Sequence, residues 1–128
     1  MPLKYAFNPK QEVSAKAYGS SFRISTKNSD VVCRALNGMN LSKGKILLEN
    51  LLSEKRSIDG KYYTNAAKEI LPLLKSAESN AEFKGLDTDK LIIHASAHQG
   101  FTFHRPRRFK MRGEKKKVTN VQIVLVQR

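Results

Sequence analysis

Apolar positions change period along the chain, and the changes divide it into elements. Phe22, Ile24 and Thr26 alternate with Arg23, Ser25 and Lys27, the period of two expected of a short strand with one wet, basic face. Asn28 or Ser29 can then cap a helix over 30–37; Asp30 suits the positive end of its dipole, and Gly38 offers a left-handed stop. Ser42 caps a second helix, in which Leu47, Leu48, Leu51 and Leu52 form one stripe while Lys43, Lys45, Glu49 and Glu54 face water. Asp59 and Gly60 mark a turn. Thr64 opens a long helix with Ala67, Ile70, Leu71, Leu74, Ala77 and Ala81 at helical spacing, closing at Lys84 and Gly85. Pro72 lies inside it and removes the amide that would bond the Lys68 carbonyl, which predicts a kink or a start near Leu71.

Two clear strands follow. In LIIHASAH, Leu91, Ile93 and Ala95 alternate with Ile92, His94 and Ser96, and near the end Val121, Ile123 and Leu125 repeat the pattern. Between them runs FTFHRPRRFKMRGEKKKV, with a single carboxylate, Glu114, and little apolar matter to bury. The simplest connection is an antiparallel hairpin projecting beyond the sheet. With about nine residues per arm at roughly 3.3 Å each, its reach is about 30 Å. The expected organisation is one α+β domain over 1–128: three helices packed on a small antiparallel three-stranded sheet. An N-terminal arm takes 1–20, the body takes 21–98 and 119–128, and a long protruding β-hairpin takes 99–118.

Composition sharpens this picture. Lys and Arg number 24 against 11 Asp and Glu, a net charge of +13 on 128 residues, which attracts polyanions. At 40% hydrophobic residues there is material for one ordinary core. No apolar stretch approaches the roughly 20 residues of a bilayer crossing, and MPLKYAFNPKQE has no signal-length hydrophobic segment, so a soluble, intracellular protein is expected. Cys33 is the one cysteine, which excludes an internal disulfide and a thiolate zinc cluster and makes a small buried hydrophobe its expected role.

Catalysis finds little support. Acidic residues scatter over helix faces, and neither a nucleophile motif nor a glycine-rich phosphate loop occurs. Asp87 and Asp89 read as turn residues between helix and strand. His94 and His98 have i, i+4 spacing, but on a strand that separates them by about 13 Å, too far to share a metal ion. No cofactor is expected. The basic run is different. A charge run is most often a solvated face, but this one sits on a hairpin without a core, Phe101, Phe103 and Phe109 interleave as stacking surfaces, and a second basic cluster lies at Lys16, Arg23, Lys27 and Arg34. His98 and His104 are placed to meet phosphate, bases or water. These features point to nucleic acid, with RNA favoured. An architectural DNA-binding protein using a β-ribbon is the alternative; a membrane-active protein would need a cationic amphipathic helix, whereas here the charge sits on β structure.

Residues 15–38, AKAYGSSFRISTKNSDVVCRALNG, and 74–93, LKSAESNAEFKGLDTDKLII, together with the R-P-R of the hairpin, resemble the large-subunit ribosomal protein family numbered twenty-two in bacteria and seventeen in eukaryotes, in its archaeal and eukaryotic branch. The resemblance implies a cytoplasmic, ribosome-bound structural protein without enzymatic activity or homo-oligomer. Its partners would be large-subunit rRNA, neighbouring ribosomal proteins and the nascent polypeptide, with the hairpin lining the exit tunnel. Carried over by position, Lys16, Arg23, Ser25, Lys27 and Asn28 match the RNA-facing motif of the body. Arg105, Pro106, Arg107 and Arg108 match the basic tip, and Lys110, Arg112, Lys115, Lys116 and Lys117 continue the returning arm. With Arg34 and His104 these form the expected RNA-binding set, and His104 through Arg112, Phe109 and Met111 included, form the expected tunnel-lining tip. Asn80 falls on the helix motif, with structural and RNA-facing roles both open. The insert that archaeal and eukaryotic relatives carry before the long helix is almost absent here.

Overall fold

The elements of a computed structural model, which describes residues 4–108 and 110–128, are strand β1 (Ser14–Phe22), helices α1 (Thr26–Leu36), α2 (Leu41–Leu52) and α3 (Thr64–Phe83), and strands β2 (Leu91–Gln99), β3 (Phe103–His104), β4 (Lys115–Lys116) and β5 (Thr119–Gln127). Short 3₁₀ turns lie at Gln11–Val13 and Thr88–Lys90. The sheet order is β1-β5-β2, antiparallel throughout, with Ala15 opposite Leu125 on one side and Ile93 opposite Leu125 on the other. Ala15, Ala17, Leu91, Ile93, Ala95, Val121, Ile123 and Leu125 point to one face, and the helices cover it. Val32, Leu36, Leu48, Leu51, Ile70 and Leu74 complete that core. The α+β class and the layer of three helices on three strands are as the periodicity predicts.

The long helix carries every apolar position assigned to it: Ala67, Ile70, Leu71, Leu74, Ala77 and Ala81 are all buried. Pro72 neither ends it nor delays its start, since the helix runs without a break from Thr64 to Phe83. Pro72 and Lys68 are both exposed, so water can satisfy the carbonyl that proline leaves without a donor. Gly44 marks the tightest helix contact. A Cβ there would stand 2.4 Å from Ile93 Cδ1 and 3.4 Å from Leu36 Cδ2, so the glycine lets α2 close onto β2 and α1.

The first strand differs from its prediction. Strand β1 lies at Ser14–Phe22 rather than over 22–27. Its inward positions are Ala15, Ala17 and Gly19, all buried but too small to give a strong apolar signal. The louder alternation of Phe22, Ile24 and Thr26 crosses three settings. Phe22 closes β1 beyond an irregularity at which Ser21 has φ 60°, Ile24 is buried in the connection, and Thr26 begins α1. Ser25, not Asn28 or Ser29, caps α1, accepting the Asn28 amide at 3.4 Å. The cap of α2 is Asn40 rather than Ser42. Of the leucine stripe, Leu52 is partly exposed, and Lys45 leaves the water-facing group to pair with Glu78.

Both edges of the sheet are engaged. Along β2, the Ile93 amide donates to the Met39 carbonyl at 2.9 Å, the Ala95 amide to Asn37 Oδ1 at 2.6 Å, and the Gly38 amide to the Ile93 carbonyl at 3.0 Å. Gly38 takes φ 82° to turn the chain from α1 along this edge. Along β1, Asn80 Nδ2 donates to the Lys16 carbonyl at 2.8 Å and Lys84 Nζ to the Ser14 carbonyl at 2.9 Å. Asn80 therefore has a structural role, fastening α3 to the sheet edge. Asn80→Ala should cost about 1 kcal/mol, read as a lower urea midpoint with an unchanged slope.

On the opposite sheet face, residues 4–10 lie over the part around Gln122 and His94. Gln122 Nε2 donates to the Lys4 carbonyl and its Oε1 accepts the Ala6 amide, at 2.8 and 3.0 Å. Phe7 stacks on His94 with ring centroids 4.3 Å apart. Nε2 of His94 is buried without a hydrogen-bond partner among the described residues. Burial, and then the charge of Arg128, hold the His94 pKa below its ordinary 6.5. The neutral ring is thus the form that packs, and its contribution is complete above pH 6.5 and lost as the pH falls through the lowered value. The His94 ring protons should titrate with a midpoint below 6.5, with the Phe7 resonances shifting alongside; a midpoint at or above 6.5 would contradict this packing.

Candidate nucleic-acid interface

Beyond Gln99 and before Thr119 the chain leaves the three-stranded sheet as a cationic, largely exposed segment with a short two-stranded ladder of its own. The ladder is not one pair of unbroken nine-residue arms. β3 and β4 pair only as Phe103 with Lys116 and His104 with Lys115, with separate cross-links from the Gly100 amide to the Val118 carbonyl at 2.7 Å and from the Arg105 amide to the Glu114 carbonyl at 2.9 Å. The physical reason lies in the residue types: the run buries almost no apolar side chain, so a short backbone ladder and a few polar contacts hold it. Phe101 is 83% exposed and Met111 67%. Val118, at the root, is buried.

The sole carboxylate of the run has a local task. Glu114 lies 3.4 Å from the Arg105 guanidinium and 3.5 Å from Lys116 Nζ, and these partners, Arg105 first, hold its pKa below the usual carboxylate range. It clasps the two arms where the ladder ends. Arg105 and Lys116 are therefore partly neutralised, whereas Arg107, Arg108, Lys110 and Arg112 are exposed and have no ion pair among the described residues. Pro106 and His104 are exposed on the outgoing arm. Phe109, expected in the tip and as a stacking ring, lies outside the described residues.

At the root the projection meets the body. Arg23 donates to the Lys117 carbonyl, and its guanidinium sits 5.6 Å from the centroid of the Phe103 ring. Arg23, Ser25 and Asn28 from the body, Lys115, Lys116 and Lys117 with the carboxylate of Glu114 from the returning arm, and Asn65 at the start of α3 border an open groove of about 330 Å³. This brings together two clusters that lie some ninety positions apart in sequence. The remaining expected residues separate from it. Lys27 and Arg34 stand exposed on α1, with Arg34 paired to Asp30 at 3.0 Å. Lys16 lies on the outer sheet face, bonded to Asn8 and 4.9 Å from the Tyr5 ring centroid. Asn65 was not legible in the sequence, because only the tertiary placement of the first turn of α3 brings it to the groove. Cys33 is buried, with its thiol pKa pushed up to about 12 by burial and by nearby Asp30, so it stays protonated and inert.

Comparison with known proteins gives a consistent result. The sequence profile of the family described as "Ribosomal protein L22p/L17e" matches residues 17–125. The chain is 35% identical to the large ribosomal subunit protein uL22 of Archaeoglobus fulgidus, covering 84% of each chain. It is 33% identical to that of Methanocaldococcus jannaschii, covering 96% of this chain and 94% of the relative, and 35% identical to that of Methanopyrus kandleri over 75% and 76%. The alignment to the M. jannaschii protein runs over 146 positions against the 128 residues here, so that relative has internal residues this chain lacks.

Proposed function

Since the chain belongs to the ribosomal protein L22p/L17e family, in its archaeal-type branch, and is a structural protein rather than an enzyme, we propose that it is a constituent of the large ribosomal subunit that binds and cross-links large-subunit rRNA. The observation that carries this reading is the groove in which Arg23 faces Lys115, Lys116 and Lys117. Cations so gathered neutralise closely spaced phosphates and release their counterions, and the same charge continues along the projection to Arg107, Arg108, Lys110 and Arg112. Amides and hydroxyls at Ser25, Asn28 and Asn65 supply directional contacts to sugar or phosphate.

In this reading the body seats one RNA segment at the groove while the projection reaches between others, fixing their relative positions during assembly in the cytoplasm. The tip, 104–113, forms part of the peptide exit tunnel wall beside the nascent chain, and neighbouring large-subunit proteins flank the body. Phe101, Phe103, His104, Pro106, Arg107, Arg108 and Lys110 to Lys115 are exposed, which supports a partner outside the chain. A tagged copy should migrate with large subunits in a sucrose gradient and stay there after a high-salt wash; release at high salt, with equal affinity for duplex DNA, would favour the free architectural protein instead. A ribosome map placing residues 104–113 in bulk solvent would remove the tunnel assignment.

A further inference from the structure

We propose that Tyr18 and His98, on the outer sheet face beside the segment over 4–10, form a stacking site for an unpaired RNA base. The proposal deepens the rRNA-binding reading and rests on it, but it uses side chains outside the groove and outside the projection.

The sheet register puts the pair together. Tyr18 on β1 stands opposite Gln122, and His98 on β2 opposite Asn120, so both rings rise from the same face across the central strand. Their planes are within 30° of parallel and their centroids are 6.5 Å apart. The segment over 4–10 lies over the neighbouring part of this face, and its Tyr5 ring meets Tyr18 edge-on at 6.4 Å. Beyond it Tyr18 is half-buried and His98 exposed. The pair sits on a firm base, because Asn120 accepts the Ser21 amide at 2.9 Å through Oδ1 and approaches His98 Nε2 at 3.4 Å through Nδ2.

The surroundings select the occupant. A protein anchor needs an apolar, desolvated pocket, but the corner is bordered by Ser21, Ser96 and Asn120. Lys16, two residues before Tyr18 on the same face, holds its ammonium 4.9 Å from the centroid of the Tyr5 ring, which in turn meets Tyr18. Aromatic surface with a cation and polar side chains suits a base and its phosphate, and such stacking tolerates any sequence because every base has a π face. The position fits as well: β2 passes His98 and then leaves the sheet as the projection, so a strand held by the arm runs past this corner.

The test uses the full chain and a short single-stranded RNA carrying 2-aminopurine at internal positions and an end-attached dye. Saturation should quench the 2-aminopurine. Tyr18→Leu with His98→Ala should abolish the quench and weaken binding about tenfold, while leaving the salt slope of binding unchanged; Tyr18→Phe, which keeps the ring, should retain the quench. Matched thermal melts check folding. Should Tyr18→Leu fail to fold, His98→Ala alone and the RNA-induced shift of the His98 ring protons carry the test, since that residue is exposed. Binding with normal salt dependence but an undiminished quench in the double variant would overturn the stacking site and leave the charge-based reading standing. A wild-type chain that binds no RNA would overturn both.

Discussion

Replacing Arg107, Arg108 and Arg112 together by Gln should lower affinity for rRNA roughly 10²-fold at 0.1 M salt and flatten the dependence of log K on log salt by about 2 to 3, with no change in the melting temperature. The argument is one of separation. These three side chains are exposed and make no ion pair among the described residues, so their charge is available to phosphate and contributes nothing measurable to folding. Arg105 is deliberately left in place: it holds Glu114, and removing it would open the clasp and free a carboxylate beside the RNA. Binding titrations at several salt concentrations, with a thermal melt of each variant, check the result. A triple variant that binds with an unchanged slope would show that the tip does not meet phosphate.

Ile93→Ala should do the reverse, destabilising the fold by about 2 to 5 kcal/mol and lowering the melting temperature by roughly 10 °C or more. Ile93 is fully buried on β2, where the backbone of the linker after α1 bonds its amide and carbonyl, and its Cδ1 fills the space that Gly44 leaves open. Leu36 and Leu74 converge on the same point from α1 and α3. Truncation therefore opens a void where all three helices meet the sheet, and the neighbouring backbone cannot collapse without breaking the edge hydrogen bonds. Affinity per folded molecule should hold at low temperature. Denaturant melts and low-temperature binding together separate this loss from that of the arginine variant.

How much of this was legible depended on side-chain size and on distance along the chain. Large apolar side chains at regular spacing made α3, β2 and β5 readable, including the closure at Gly85. Strand β1 was misplaced because its inward positions are Ala15, Ala17 and Gly19, buried but small, so its hydrophobic signal was weak; at Gly19 the Phe22 ring, followed by Leu73, fills the space that a side chain would need. Ser25 and Asn40 were passed over as caps in favour of residues a few positions later, since several Ser and Asn residues compete there and only backbone geometry chooses. Charge type and amount at the candidate interface could be read directly. Its division could not: that Arg23 faces Lys115, Lys116 and Lys117 while Lys16 lies on another face follows from the register of β1 and β2 against β5, and the local use of Glu114 follows from the position of the turn.

The fastening of both outer strands bears on the time before assembly. A copy released from synthesis and waiting for its site carries a large positive charge, and that charge already discourages contact between copies. Because the linker after α1 lies along one margin and Asn80 and Lys84 hook the other, a second copy also finds few free backbone groups on which to extend the sheet. Surplus protein should thus remain dispersed, and its hazard in the cell is capture by the wrong polyanion rather than fibril growth.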